Sequence, residues 1–90
     1  MTVPIPESYR RTSRGHVTVD GVQFFSYRVS INRYAMISED GRLWVQRNFE
    51  RTTYWACIRS GGEGQSITIG RRYLTEKAAM AAAVKAAARL

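Results

Sequence analysis

The 90-residue chain contains one cysteine, one histidine, two prolines and two lysines. Each scarcity removes a class of protein. A single thiol, Cys57, closes no internal bridge, so the fold is not a disulfide scaffold of the secreted type; the expected setting is a reducing cytoplasm, in a nucleoid or a host cell. One cysteine and one histidine, His16, do not make a structural zinc site, and no carboxylate cluster offers a cage for a hard cation. No metal or other cofactor is expected. The amino-terminal Met-Thr-Val-Pro-Ile-Pro-Glu has no apolar run of signal-peptide length. The longest weakly polar stretch, Ala78 to Val84, is seven residues, far below the roughly 20 that span a bilayer. A soluble chain with no membrane partner is expected.

Catalytic signals are equally thin. Nucleophilic catalysis needs a Ser or Cys, a His base and a third group that orients it, and nothing in the sequence brings His16 and Cys57 together. Glu39 and Asp40 read as turn residues, while Glu50 and Glu63 have loop-like surroundings, so no convergent acid pair emerges. Gly61-Gly62-Glu63-Gly64 lies between two strands and lacks the Lys-Ser/Thr of a phosphate-binding loop, which makes it a hairpin connection. No turnover is expected.

The chain does have the composition of a folded domain, 44% apolar and 11% aromatic. At this length it buries about 60–65% of its unfolded surface, enough for one thin core and no second domain. Its charge is one-sided. Fourteen basic residues against seven acidic give +7, and twelve of the fourteen are arginine. The planar guanidinium fork grips phosphates and guanine edges in pairs, so a polyanionic partner is the first inference.

Residues 1–15 contain both prolines and Arg10, Arg11 and Arg14 without apolar periodicity, and read as a flexible basic arm. Residues 16–90 read as one domain. His16 to Val19 and Val22 to Val29 flank Asp20-Gly21, a pair suited to a tight hairpin turn. Along the second of these strands Phe25, Tyr27, Val29 and Ile31 share one face, leaving Ser26, Arg28 and Ser30 on a wet one. Tyr34 to Ile37 returns through Glu39-Asp40-Gly41 as Arg42 to Arg47, and Thr53 to Arg59 returns as Gln65 to Ile69. After Gly70 the period changes. Thr75 is a helix cap, Glu76 suits the first turn, and eight of residues 78–88 are alanine, so a helix is expected over about 76–90. Its Lys77, Lys85 and Arg89 form a solvated stripe opposite Met80, Ala83, Val84 and Ala87. The expected architecture is α+β: an antiparallel sheet of five to six strands built from hairpins, with one carboxy-terminal helix packed on one face.

Arginine and aromatic residues interleave across the last three strands: Arg42, Trp44, Arg47, Arg51, Tyr54, Trp55, Arg59, Arg71 and Arg72. Alternation puts Ala56 and Ile58 toward the helix and sends Trp55, Cys57 and Arg59 to the opposite face. Ile67 and Ile69 join the helix side, leaving Ser66 and Thr68 outward. A face of indole, guanidinium and hydroxyl groups suits a ligand lying against it. The competing reading buries Trp44 and Trp55 under the amino-terminal hairpins.

Two stretches carry a resemblance. Trp55-Ala56-Cys57-Ile58-Arg59 and Ile69-Gly70-Arg71-Arg72-Tyr73-Leu74-Thr75-Glu76-Lys77-Ala78-Ala79 resemble the strand and the helix entry of the ethylene-response-factor (Apetala-type) DNA-binding domain. Its prokaryotic relatives occur in phage integrases and homing endonucleases. The similarity covers about residues 43–87, with one extra residue between Gly70 and Tyr73. It implies a three-stranded sheet whose exposed face enters the major groove, with Trp55 and Arg59 at matched contact positions. The first strand departs from that pattern, having Trp44, Gln46 and Asn48 where the family alternates arginines. Gln and Asn read adenine edges in the same groove, so the departure changes the expected sequence preference.

Taken together, the sequence predicts a double-stranded DNA-binding protein without catalytic residues. Trp44, Gln46, Arg47, Trp55 and Arg59 are the candidate groove contacts, and Arg51, Arg71, Arg72, Arg10, Arg11 and Arg14 the candidate phosphate contacts. The alternative is a phage- or mobile-element-type protein that docks the same basic aromatic face on an acidic host protein, since Trp, Tyr and Arg also dominate protein hot spots. Single-stranded nucleic acid stacking on Trp44, Trp55 and Tyr54 is a third possibility.

Overall fold

The computed structural model describes residues 3–48, 53–59 and 66–89. Turn chemistry sets the topology. Asp20 and Gly21 both adopt positive φ, 49° and 82°, the twist that lets two strands fold back in register. Asn32 does the same at 65° and Gly41 at 78°. Successive hairpins therefore give a meander: β1 (Arg10–Val19), β2 (Val22–Ser30), β3 (Arg33–Ser38), β4 (Leu43–Asn48), β5 (Thr53–Arg59) and β6 (Ser66–Tyr73), followed by α1 (Glu76–Ala88). The strands form one antiparallel sheet in the order of the sequence. The α+β architecture, the sheet and the terminal helix are as the sequence predicts.

The helix begins where Thr75 accepts a hydrogen bond from the Ala78 amide at 3.1 Å, satisfying one of the donors that a helix start leaves open. Its short side chains let it lie close. Ala79, Met80 and Ala83 are buried on Phe24, Met36, Val45, Ala56 and Ile58, while Val84 and Ala87 pack at the margin. The helix covers β4, β5 and β6 and touches β1.

The β2 face expected to be wet is wet only at its end: Arg28 and Ser30 are exposed, but Ser26 on the same face is in the core. Phe24 is completely buried on the helix side and Ser26 nearly so, and the adjacent Phe25 packs on the other side. A strand covered on both faces loses the polar alternation that would reveal which side is inside.

The second cover is the amino-terminal segment. Residues expected in a mobile arm are placed otherwise: Arg10–Val19 is β1, and residues 3–9 cross the sheet face opposite the helix. The Val3 amide donates to the Asp40 carbonyl at 2.7 Å and the Val3 side chain is buried. Ile5 and Tyr9 pack on Tyr27, Ile37, Trp44 and Cys57. Gly41 is the anchor point. Its φ favours glycine, and a Cβ there would collide with the Val3 carbonyl, so a side chain at 41 would have to lift the segment.

The β3–β4 turn that holds this segment is itself braced. Ser38 Oγ donates to Asp40 Oδ1 at 2.6 Å and accepts from the Leu43 amide at 3.0 Å, which satisfies a hydroxyl that is almost wholly buried.

Candidate nucleic-acid interface

The two sheet faces treat the predicted contacts differently. Opposite the helix, Trp44 is only 6% exposed. Its Nε1–H donates to the Gly41 carbonyl at 2.8 Å, and the Tyr9 ring meets it edge-on, with centroids 5.4 Å apart. The expectation that Trp44 offers its ring to DNA is corrected: the covering segment has already taken that face. Arg59 is half-buried, with its guanidinium carbon 4.5 Å from the centroid of the Trp44 ring, a cation–π contact that spends part of its charge internally. Trp55 and Gln46 lie on the same face, half-buried, with Trp55 packed against this second core.

Cys57 is buried in the same layer. Burial pushes its thiol up, and the nearby Arg59 charge pulls partly the other way, so the protonated, weakly nucleophilic form is favoured. His16 stands on β1 beside Phe25, with three strands between it and Cys57 on β5.

The expected arm arginines are each engaged differently. Arg11 lies over Phe25 at 4.0 Å and donates from Nε to the Tyr27 hydroxyl at 3.2 Å. Arg14 forms a two-pronged ion pair with Glu76, one branch being Nη1 to Oε2 at 3.0 Å. That hydrogen bond holds the guanidinium above its ordinary pKa. Arg10 is exposed at the start of β1.

The meander sorts charge between the two ends of the sheet. Arg10 pairs with Arg28, Arg28 with Tyr34, Ser30 with Arg33, Arg47 with Tyr54, and Tyr54 with Tyr73, the residue after Arg72. All of these therefore fall at one end. Arg10, Arg28, Arg33, Arg47 and Arg72 are exposed there, and among the described residues none of the five has a carboxylate within ion-pair distance. At about 4.8 Å per strand the rim is about 24 Å long, the length of about seven base pairs. Asp20, Glu39 and Asp40 occupy turns at the opposite end, together with Arg42 and Arg59. The acids nearest the basic rim are Glu76, which lines a cleft with Arg47 and is paired with Arg14, Glu7, in the covering segment, and, in sequence, Glu50, which lies outside the described residues.

Of the predicted phosphate contacts, Arg10 and Arg72 join this rim, as does Arg47 from the predicted groove contacts. Arg51 and the side chain of Arg71 lie outside the described residues. Arg28 and Arg33 were not among the sequence candidates. Their signal was available: numbering the strands of a meander and asking at which end each arginine falls assigns both to the basic end.

A cleft opens on the helix side of the same rim. Between Arg11, which faces Tyr27, and His16, which faces Phe25, β1 loops out opposite Ser26 alone. Gly15 permits this with φ of 83°. Thr12 Oγ1 donates to Ser26 Oγ at 2.7 Å, and Arg14 reaches Glu76 at the start of α1. The helix does not extend over this corner, and a cleft of about 530 Å³ remains, lined among others by Thr12, Ser26, Tyr34, Arg47, Tyr54 and Glu76. Among the described residues no group of three or more His, Cys, Asp or Glu side chains gathers as a metal site, and no helix is long and apolar enough to cross a membrane.

Compared with known proteins, the chain matches no family model, no curated protein and no solved structure.

Proposed function

We propose that this protein binds double-stranded DNA through its guanidinium rim, gripping phosphates more than reading bases. One observation carries the reading: the strand order gathers Arg10, Arg28, Arg33, Arg47 and Arg72 at one end of the sheet, while Asp20, Glu39 and Asp40 sit in turns at the other. A net charge of +7 distributed in this way gives a directed field that orients a polyanion as well as attracting it. Arginine in place of lysine suits two-point contacts with phosphate oxygens. The likeness of residues 55–59 and 69–79 to the integrase-type sheet domain supports DNA as the polyanion.

The reading differs from a sheet lying face-down in the major groove, because residues 3–9 occupy the Trp44 face. Trp55 and Arg59 remain half-exposed beside that cover and are left with a secondary part.

Salt titration tests the proposal. Five phosphate contacts give a plot of log K against log salt with a slope of about −4 to −5. Binding to a random duplex measured between 50 and 200 mM salt, by the conditions usual for such titrations, is expected to show that slope. A flat response, or retention of a host protein with no affinity for duplex, would overturn it in favour of an acidic protein partner.

A further inference from the structure

The cleft beside Arg47 has a composition that a phosphate rim alone does not require. Tyr34 stands at its mouth 52% exposed, a large aromatic ring with little packing reason to be there. Tyr54 is half-buried across from it, Met36 and Ser26 contribute to the lining, and both of those are buried. The volume of about 530 Å³ lies within the range of small-molecule sites.

Charge divides the cleft into two parts. Arg14 and Glu76 neutralise each other, so their wall carries no excess charge, and the hydroxyls of Thr12 and Ser26 bond to one another. Arg47 is the lining cation without a carboxylate partner among the described residues, and it belongs to the rim as well. A ligand fitted to this arrangement has a phosphate at one end and a flat, polar-edged ring at the other. The ring meets tyrosine faces, and its edge meets hydroxyls and a carboxylate already held in position.

We infer that the cleft takes one unpaired nucleotide from the end of a bound strand, with its phosphate on Arg47 and its base between Tyr34 and the Thr12–Ser26 wall. The inference rests on the DNA-binding reading and adds to it a preference for duplexes with single-stranded ends. A base stacked on an aromatic ring strengthens binding by about fivefold to a hundredfold. One further nucleotide adds only one phosphate, so this gain depends on salt less than the rim contacts do.

The experiment compares a blunt duplex with the same duplex bearing a short overhang of either polarity, by titration calorimetry on the full chain and on Tyr34→Ala. The exposure of Tyr34 makes that variant compatible with folding, which circular dichroism would verify. The expected result is about tenfold tighter binding of one overhang duplex by the unaltered chain, and loss of that preference in Tyr34→Ala. Equal affinity for blunt and overhang duplexes overturns the cleft inference and leaves the rim reading intact. A preference that survives Tyr34→Ala also overturns it, since the overhang is then recognised elsewhere. Failure to bind any duplex overturns both.

Discussion

Trp44→Ala is expected to unfold the domain or bring it close to unfolding. The indole is almost wholly buried, donates to the Gly41 carbonyl and supports Tyr9 on one side and Arg59 on another. Truncating a buried Trp to Ala costs about 3–5 kcal/mol, against a total stability of about 5–15 kcal/mol for a domain. For a chain of this size each kcal/mol lowers the melting temperature by about 4–8 °C, so a fall of about 15–30 °C is expected by calorimetry. An exposed, DNA-stacking Trp44 would behave differently: the variant would melt almost normally and lose affinity. Thermal melting thus separates the structural assignment of Trp44 from the sequence-based one.

The second large effect concerns the rim. Replacing Arg28→Glu and Arg33→Glu together is expected to weaken duplex binding by about a hundredfold or more at moderate salt. Each lost charge-assisted contact contributes about 1.5–3 kcal/mol, and the new carboxylates repel the backbone. Both residues are exposed, so the fold should be little disturbed. The control is Lys85→Glu with Arg89→Glu, which lowers the net charge equally at the far end of α1, where both residues are exposed. A rim-specific interaction leaves that control within a few-fold of the unaltered chain. Equal losses in the two variants would mean that net charge alone attracts DNA.

Much of the architecture is legible in the residues because it depends on local chemistry. Asp20-Gly21 and Gly41 mark turns through their backbone freedom. Thr75 and the alanine run mark the helix through capping and propensity. Ala56 and Ile58 against Trp55, Cys57 and Arg59 mark the two faces of β5, and the structure keeps that division. What depends on distant contacts is not legible. Residues 3–9 contain two prolines, have no periodicity, and join the fold through Val3 on Asp40 and Tyr9 on Trp44, contacts that no local pattern announces. Buried Phe24 and half-buried Phe25 occur in succession because β2 is covered on both faces. The alternation of β2 sorts Phe25, Tyr27 and Val29 onto one face, as the structure has them, but does not tell that Phe24 and Ser26 on the other are also covered.

The candidate site divides in the same way. Arg47 and Arg72 are legible because they lie near strand ends, while Arg28 and Arg33 also require the strand order of the meander, which puts them at the same end. The cleft required two tertiary facts: that β1 bulges opposite Ser26, and that α1 stops short of the corner above Tyr34 and Arg47.

The most direct measurement is a nuclear magnetic resonance map of a short duplex titrated into the labelled chain. Shifts are expected to concentrate on the side-chain and backbone signals of Arg10, Arg28, Arg33, Arg47 and Arg72, with the Asp20 and Glu39–Asp40 turns undisturbed. Shifts centred on those acidic turns, or spread evenly over the surface, would contradict binding at the rim.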